Sequence, residues 1–252
     1  MLVSPTLIKD HIDDPDLIIL DTRPKVSFMY DHIPNSQSLT IEQVIKFDQN
    51  GSNLVADEKH IVEVFSSLGI DESKTVVLCG EYIDPSVARI AWTLLYFGHE
   101  KTKILDHGIN SLPQFGIEFT RKLYKVTPTK FSAKINHDLQ IDADNILKNL
   151  ERIVLLDARS PQEFMGGHLP KAMLIPFTDG IGTNGKIFSD KENLEKLFSE
   201  RQIPEDKEIV CYCMHGHRAS SLFYQLKIAG YEKVKVYDGS FVDWYGRRLA
   251  LD

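Results

Sequence analysis

The chain has 252 residues, 42% of them hydrophobic and 26% charged, which is the balance of a soluble globular protein with room for one large domain or two ordinary ones. Its formal net charge of −7 argues against nucleic-acid binding, because phosphate backbones are bound by concentrated Lys and Arg. The apolar runs are far too short to span a bilayer and no secretory signal opens the chain, so we expect no membrane partner and a cytoplasmic location.

The predicted elements alternate between strands and helices. In the first half, the apolar runs at 17–20 and 76–79 have the length of strands. In the second half the predicted elements are, in order, a strand at 153–156, a helix around 190–200, a strand at 208–212, an amphipathic helix over 219–229 and a strand at 234–237. Continuous apolar strands separated by helices are typical of an α/β fold whose parallel sheet is covered on both faces.

An internal repeat sets the organisation of the chain. Three blocks recur in the same order, with 20–23 matching 156–159, 28–34 matching 164–170, and 98–106 matching 230–238. Matches in this order are hard to obtain by chance. The sequence therefore predicts a duplicated domain, with copies at 1–121 and 139–252 and a linker at 122–138 that lies over the surface.

One loop carries residues suited to chemistry. Residues 213–218 read Cys-Met-His-Gly-His-Arg and follow a strand, at the sheet edge where catalytic groups of α/β proteins lie. Gly216 allows the backbone to curl so that amide N–H groups face an anion, and the following helix start and Arg218 favour a thiolate at Cys213. The alternative is that Cys213 is one more small buried residue.

The other two cysteines are predicted to be structural. Cys211 lies further back on the strand, in the core. Cys79 aligns with Tyr212, one position before the nucleophile, and Gly80 stands opposite Cys213. Only one active site is therefore expected.

These motifs resemble those of tandem rhodanese-domain sulfurtransferases. The resemblance rests on Leu-Asp-x-Arg, Phe-Met-x-x-His-[Ile/Leu]-Pro, the Cys-x-x-Gly-x-Arg loop and the block Tyr-Asp-Gly-Ser-Phe-x-x-Trp at 237–244. It implies two rhodanese-like domains, each a mainly parallel sheet flanked by helices, of which the first is a degenerate structural partner. It also implies that Cys213 takes sulfur from a small anionic donor as a persulfide and gives it to cyanide or a thiol, without a metal or organic cofactor.

The resemblance further implies a set of donor-binding residues. These are Arg159 and the loop residues Met214, His215, Gly216, His217 and Arg218. For Arg159 the alternative is a structural salt bridge, because Arg23 keeps the same motif in the inactive copy. His215 and His217 supply positive charge or hydrogen-bond donors, or are surface histidines without a role.

The identity of the sulfur donor is left open by the loop sequence. The loop differs from those typical of thiosulfate and of 3-mercaptopyruvate sulfurtransferases, and 160–167 lacks the second arginine of the latter, so thiosulfate is favoured and 3-mercaptopyruvate is the alternative. Phosphatases of the same fold carry one more residue before the arginine, so phosphatase activity is disfavoured. A persulfide carrier serving a protein acceptor remains an alternative, and we expect a monomer because the duplication supplies an intramolecular partner.

Overall fold

A computed structural model describes residues 1–49 and 51–252 of the chain. The strands and helices of the first half are β1 (Leu2–Val3), α1 (Pro5–Asp10), β2 (Leu17–Asp21), α2 (Lys25–Tyr30), β3 (Gln37–Ser38), β4 (Ile45–Phe47), β5 (Asn53–Val55), α3 (Glu58–Ser67), β6 (Thr75–Cys79), α4 (Ser86–Tyr96) and β7 (Thr102–Leu105). Short 3₁₀ turns cover Ile41–Gln43 and Ile109–Phe115.

The second half repeats the same alternation. Its strands and helices are β8 (Gln140–Ile141), α5 (Ala143–Asn149), β9 (Ile153–Asp157), α6 (Pro161–Met165), β10 (Met173–Leu174), α7 (Lys191–Glu200), β11 (Glu208–Tyr212), α8 (His217–Ile228), β12 (Val234–Tyr237) and α9 (Ser240–Gly246). Further 3₁₀ turns cover His137–Leu139 and Phe177–Gly180.

Two five-stranded sheets have the same topology. Their strand orders are β3-β2-β6-β7-β1 and β10-β9-β11-β12-β8, and every neighbouring pair is parallel. The register is repeated as well, because Asp21 pairs with Cys79 and Asp157 pairs with Tyr212. The predicted α/β class, with two mainly parallel sheets flanked by helices, is confirmed.

The contacts divide the described chain into two compact units. The first contains Met1–Ile45, Ala56–Ile135 and Thr183–Ile187, and the second contains Lys46–Val55, Asn136–Gly182 and Phe188–Asp252. Each half of the sequence thus contributes a short segment to the unit formed mainly by the other half. The second unit, which holds Cys213, therefore includes the strand β5.

The central strand of the second sheet, which leads directly to Cys213, is buried and apolar. In β11 the residues Ile209, Val210, Cys211 and Tyr212 are all fully buried. On one face Val210 and Tyr212 pack in a cluster with Trp244. Helix α8 begins directly after the loop and buries Leu222, Phe223 and Leu226.

The middle of the predicted linker packs on the first unit. Phe131 is buried, and its backbone N–H donates to the hydroxyl of Ser66 over 3.0 Å. The hydroxyl of Thr129 donates to the carbonyl of Ile70 over 2.6 Å. This part of the predicted linker is therefore held against the first unit. In the described residues, none of the helices is long and apolar enough to cross a membrane.

Candidate active site

Cys213 lies at the carboxyl end of the central strand β11, with its side chain turned into the loop. The backbone N–H of Gly216 donates to Cys213 Sγ over 3.1 Å. Gly216 has φ +84°, a left-handed conformation that side-chain-bearing residues rarely adopt, and α8 begins at the next residue. Cys213 is only 1% exposed, so a donor must present a small reactive sulfur. The loop thus gives one sulfur atom an amide donor.

Helix α9 fixes the loop from its other side. The N–H of Cys213 donates to Ser240 Oγ over 3.1 Å, and that hydroxyl donates to the carbonyl of Tyr237 over 2.9 Å. The N–H groups of Phe241 and Val242 donate to the carbonyls of Cys213 and Met214 over 3.0 and 3.3 Å. Ser240 is not among the sequence-predicted site residues, although the block at 237–244 was a signal for it.

Arg218 is tied to a carboxylate on helix α6. Its Nη1 and Nη2 donate to Glu163 Oε2 and Oε1 over 2.7 and 2.8 Å. The hydrogen bond from Arg218 is the largest cause that lowers the pKa of Glu163 to about 2. Conversely, Glu163 and then the Cys213 sulfur raise the pKa of Arg218, which keeps it charged beside the nucleophile.

Glu163 is held in place by the start of its own helix. Ser160 Oγ accepts the N–H of Glu163, and Glu163 Oε2 accepts the N–H of Ser160 over 3.0 Å, which is a reciprocal capping box. The sequence analysis missed Glu163 as a site residue. The sequence Ser-Pro-Gln-Glu at 160–163 has the spacing of a capping box, but nothing in it points to Arg218 as the partner of Glu163.

The side chain of Arg159 is buried, and its guanidinium group is already hydrogen-bonded within the protein. Its Nε donates to both carboxylate oxygens of Asp157 over 3.0 and 2.9 Å, and its Nη2 donates to Asp157 Oδ2 and to the carbonyl of Gly167. The side chain is 1% exposed, and its guanidinium carbon lies 4.1 Å from the centre of the Phe241 ring. Arg23 binds Asp21 and a carbonyl eight residues on in the same way. These contacts favour the structural alternative for Arg159.

The two histidines of the loop lie in different surroundings. Burial, and then the charge of Arg218, lower the pKa of His215, so its neutral imidazole is favoured at neutral pH. His215 therefore adds no fixed positive charge there. His217 Nε2 lies 3.4 Å from Asn53 Nδ2 in β5, and both side chains belong to the second unit.

A cavity of about 330 Å³ opens beside Arg218. Ser160, Thr178 and Asp179 line it together with Arg159 and Arg218. Each charged side chain of this set has a partner of opposite sign, since Asp179 binds Arg201 over 3.1 Å and the two arginines bind Asp157 and Glu163. The cavity has room for a small donor and reaches the active-site loop at Arg218; neither Cys213 nor Glu163 is among the residues that line it. Among the described residues, no group of three or more His, Cys, Asp or Glu side chains is placed to hold a metal ion.

The equivalent position of the first unit carries no nucleophile. The N–H of Thr22 donates to the carbonyl of Cys79 as that of Ala158 does to Tyr212, so Gly80 is the counterpart of Cys213. Burial raises the pKa of the Cys79 thiol well above its usual value. A Cβ atom at Gly80 would lie 2.5 Å from Thr22 Oγ1, a distance at which something must shift.

Comparison with known proteins assigns both copies of the repeat to one domain family. Residues 4–112 and 142–247 match the family model of the rhodanese-like domain. The chain belongs to the rhodanese-like domain family. Its two rhodanese-like repeats account for the two sheets and for the repeated motifs.

Relatives of this rhodanese-like chain include sulfur-handling proteins. It is 27% identical to the sulfur carrier protein TtuD of Thermus thermophilus, across 97% of this chain and 93% of that protein. It is 27% identical to the 3-mercaptopyruvate sulfurtransferase of Mus musculus, across 86% and 77% of the two chains. The crystal structure of SseA from Escherichia coli has a TM-score of 0.85 and 24% identity, across 96% and 98%.

Proposed function

We propose that this chain is a sulfurtransferase in which Cys213 carries the sulfur as a persulfide. The observation that carries the proposal is the Gly216 N–H directed at Cys213 Sγ, at the head of the central strand. An amide donor stabilises an anionic sulfur, whether it belongs to the thiolate or to a persulfide. Arg218 adds positive charge beside the same atom.

The proposed reaction has two steps. The Cys213 thiolate attacks the outer sulfur of the donor, and the new S–S bond forms as the donor's own bond to that sulfur breaks. With thiosulfate, sulfite leaves with the electron pair and a Cys213 persulfide remains. Cyanide or a thiolate then attacks the outer sulfur of the persulfide, which restores the Cys213 thiolate and releases thiocyanate or a new persulfide. No proton or electron is left over in the cyanide reaction.

Thiosulfate is the proposed small donor, in preference to 3-mercaptopyruvate. A carboxylate such as that of 3-mercaptopyruvate is best bound by a free guanidinium fork. Arg159 and Arg218, the arginines that line the cavity, already bind Asp157 and Glu163. This engagement supports a donor that needs no bidentate carboxylate contact.

A sulfur-carrier role is the second candidate function. It is favoured by the similarity to a named sulfur carrier along 97% of this chain. In that role the thiolate of a protein acceptor would attack the outer sulfur of the Cys213 persulfide, which forms a persulfide on the acceptor and restores the Cys213 thiolate. We also infer that the protein is a monomer, which the duplicated fold supports. We infer that it works in a reducing compartment such as the cytosol, because Cys79, Cys211 and Cys213 are all free thiols.

Mass spectrometry of the intact protein tests the proposal. After exposure to thiosulfate or to 3-mercaptopyruvate, we expect Cys213 to gain the mass of one sulfur atom with thiosulfate, and cyanide to remove it with release of thiocyanate. Cys213→Ser should gain nothing, whereas the matched Cys79→Ser control should behave as wild type. Sulfur gain in Cys213→Ser, or release of phosphate from an aryl phosphate without any thiocyanate formation, would refute the proposal.

A further inference from the structure

The charge balance around the cavity is set by pairs of side chains. Arg218 is the charged group that also interacts with the nucleophile, and both of its terminal nitrogens are bound by Glu163. The side chains of the pair are 24% and 29% exposed, so solvent screens them only in part. A donor in this cavity therefore meets an Arg218 whose charge is already paired with Glu163.

The carboxylate of Glu163 opposes a donor in two ways. It cancels most of the attraction that Arg218 alone would exert on an anion, because opposite charges at hydrogen-bond distance act at longer range as a weak dipole. It also occupies the two N–H groups that would bind the donor's oxygens. Both effects grow with the charge on the donor, so a dianion loses more than a monoanion of the same shape.

Nothing in the fold of α6 requires this charge. The capping box formed with Ser160 needs an acceptor oxygen at position 163, and glutamine supplies one as well as glutamate. The negative charge is thus separable from the local structure, and its contact across 55 residues with Arg218 is the interaction that uses it.

We propose that Glu163 determines donor specificity by holding and neutralising Arg218, so that the site favours singly charged sulfane donors over doubly charged ones. The favoured class includes organic thiosulfonates and low-molecular-weight persulfides. Thiosulfate is then a working donor, but one that Glu163 restrains. The inference rests on the proposed function, because it concerns the same cavity and the same persulfide.

Steady-state kinetics with two matched donors test this. Thiosulfate and benzenethiosulfonate present the same reactive sulfur on a sulfonyl group but differ by one charge. With cyanide as acceptor, Glu163→Gln should raise kcat/KM for thiosulfate about threefold to tenfold, mainly through KM, and should raise that for benzenethiosulfonate by a clearly smaller factor. Equal changes for the two donors, or a fall for both, would overturn the proposal.

Two further variants isolate the route of the effect. Asp179→Asn removes a carboxylate that lines the same cavity but binds Arg201, and it should change the ratio of the two kcat/KM values by less than half as much. In an Arg218→Gln background, Glu163→Gln still removes a negative charge but frees no guanidinium N–H, so it should raise the ratio clearly less than it does beside Arg218. A ratio that rises as much there, or as much in Asp179→Asn, would contradict a route through Arg218.

The same experiment separates this inference from the proposed function. If wild-type protein forms no Cys213 persulfide with either donor, the proposed function fails. If wild type forms it and Glu163→Gln leaves the donor ratio unchanged, only the role of Glu163 fails. Thermal unfolding of each variant verifies that the compared proteins are folded.

Discussion

Ser240 shows how much the position of the nucleophile depends on one side chain outside its loop. Its φ of +54° lies in the left-handed region, which is costly for a residue with a Cβ atom. In this conformation its hydroxyl accepts a hydrogen bond from the N–H of Cys213 and donates one to the carbonyl of Tyr237. The residue is fully buried, so water cannot replace these hydrogen bonds.

Ser240→Ala and Ser240→Gly separate the hydroxyl from the backbone conformation. Ser240→Ala should destabilise the protein by about 1–3 kcal/mol, because the buried N–H of Cys213 loses its acceptor. Ser240→Gly loses the same acceptor but relieves the left-handed conformation, so it should cost about 1 kcal/mol less. Urea unfolding of the two variants and wild type measures both differences. A glycine variant less stable than the alanine variant would show that the conformation carries no strain.

At the scale of elements, the site is assembled from three helix starts and one strand end. Strand β11 delivers Cys213, α8 begins beside it, α9 binds the loop carbonyls, and α6 supplies Glu163. Because the partners of the loop come from separate elements, the loop is fixed only when the whole sheet is formed. The Glu163–Arg218 salt bridge is the charged link between α6 and α8.

The α6–α8 link should make stability depend on pH in a defined direction. The pKa of Glu163 falls from 4.5 in the unfolded chain to about 2 in the folded protein. The stabilisation is therefore complete above pH 4.5 and is lost as pH falls towards about 2. Allowing for solvent screening, the free energy of unfolding of wild type should be about 1–2 kcal/mol higher than that of Glu163→Gln at neutral pH.

Urea unfolding of wild type and Glu163→Gln across the acidic range measures this dependence. The gap between the two proteins should narrow steadily from about pH 5 to about pH 3. Lys171, whose salt bridge with Glu151 is exposed, offers a control: Lys171→Gln should show little effect at any of these pH values. A gap that does not narrow as the pH falls would contradict a stabilising role for the charge of Glu163.

At the scale of the whole molecule, the duplication provides an internal control for the role of Arg159. Arg23 and Arg159 make the same buried contacts in the two units, and only Arg159 lies in the unit with the nucleophile. Removing either arginine leaves a buried aspartate without its partner. Arg23→Gln and Arg159→Gln should therefore each cost about 3–5 kcal/mol of stability.

The kinetic comparison of these two variants decides between the two readings of Arg159. If its role is structural, KM for thiosulfate in the folded fraction should change no more in Arg159→Gln than in Arg23→Gln. Circular dichroism at the assay temperature gives the folded fraction. A selective rise in KM for Arg159→Gln would show that Arg159 binds the donor.

Much of the fold could be predicted because it is written in local patterns. The strands at 208–212 and 234–237 have the predicted bounds, since they are continuous apolar runs. The helix predicted over 219–229 begins earlier, at His217, because its first turn is polar and gives no apolar periodicity. Edge strands of two residues, such as β8 and β10, are too short to produce a pattern. The exchange of segments between the units depends on tertiary contacts and left no local signal.

The site could be predicted in part for the same reason. Cys213 and Gly216 were identified from a loop whose chemistry is local in sequence. Ser240 and Glu163 act on that loop from 27 and 55 residues away, so their roles follow from the packing of the sheet and its helices. Arg159 belongs to a motif that was recognised, but its burial, which favours a structural role, was visible only in the fold.

The close approach of Thr22 to Gly80 bears on whether the first unit could be given a nucleophile of its own. In the second unit the counterpart of Thr22 is Ala158, which carries no hydroxyl. A cysteine at position 80 would bring its Cβ atom to 2.5 Å from the Thr22 hydroxyl oxygen, a distance at which something must shift. Engineering a second active site into this chain therefore calls for substitutions at positions 22 and 80 together.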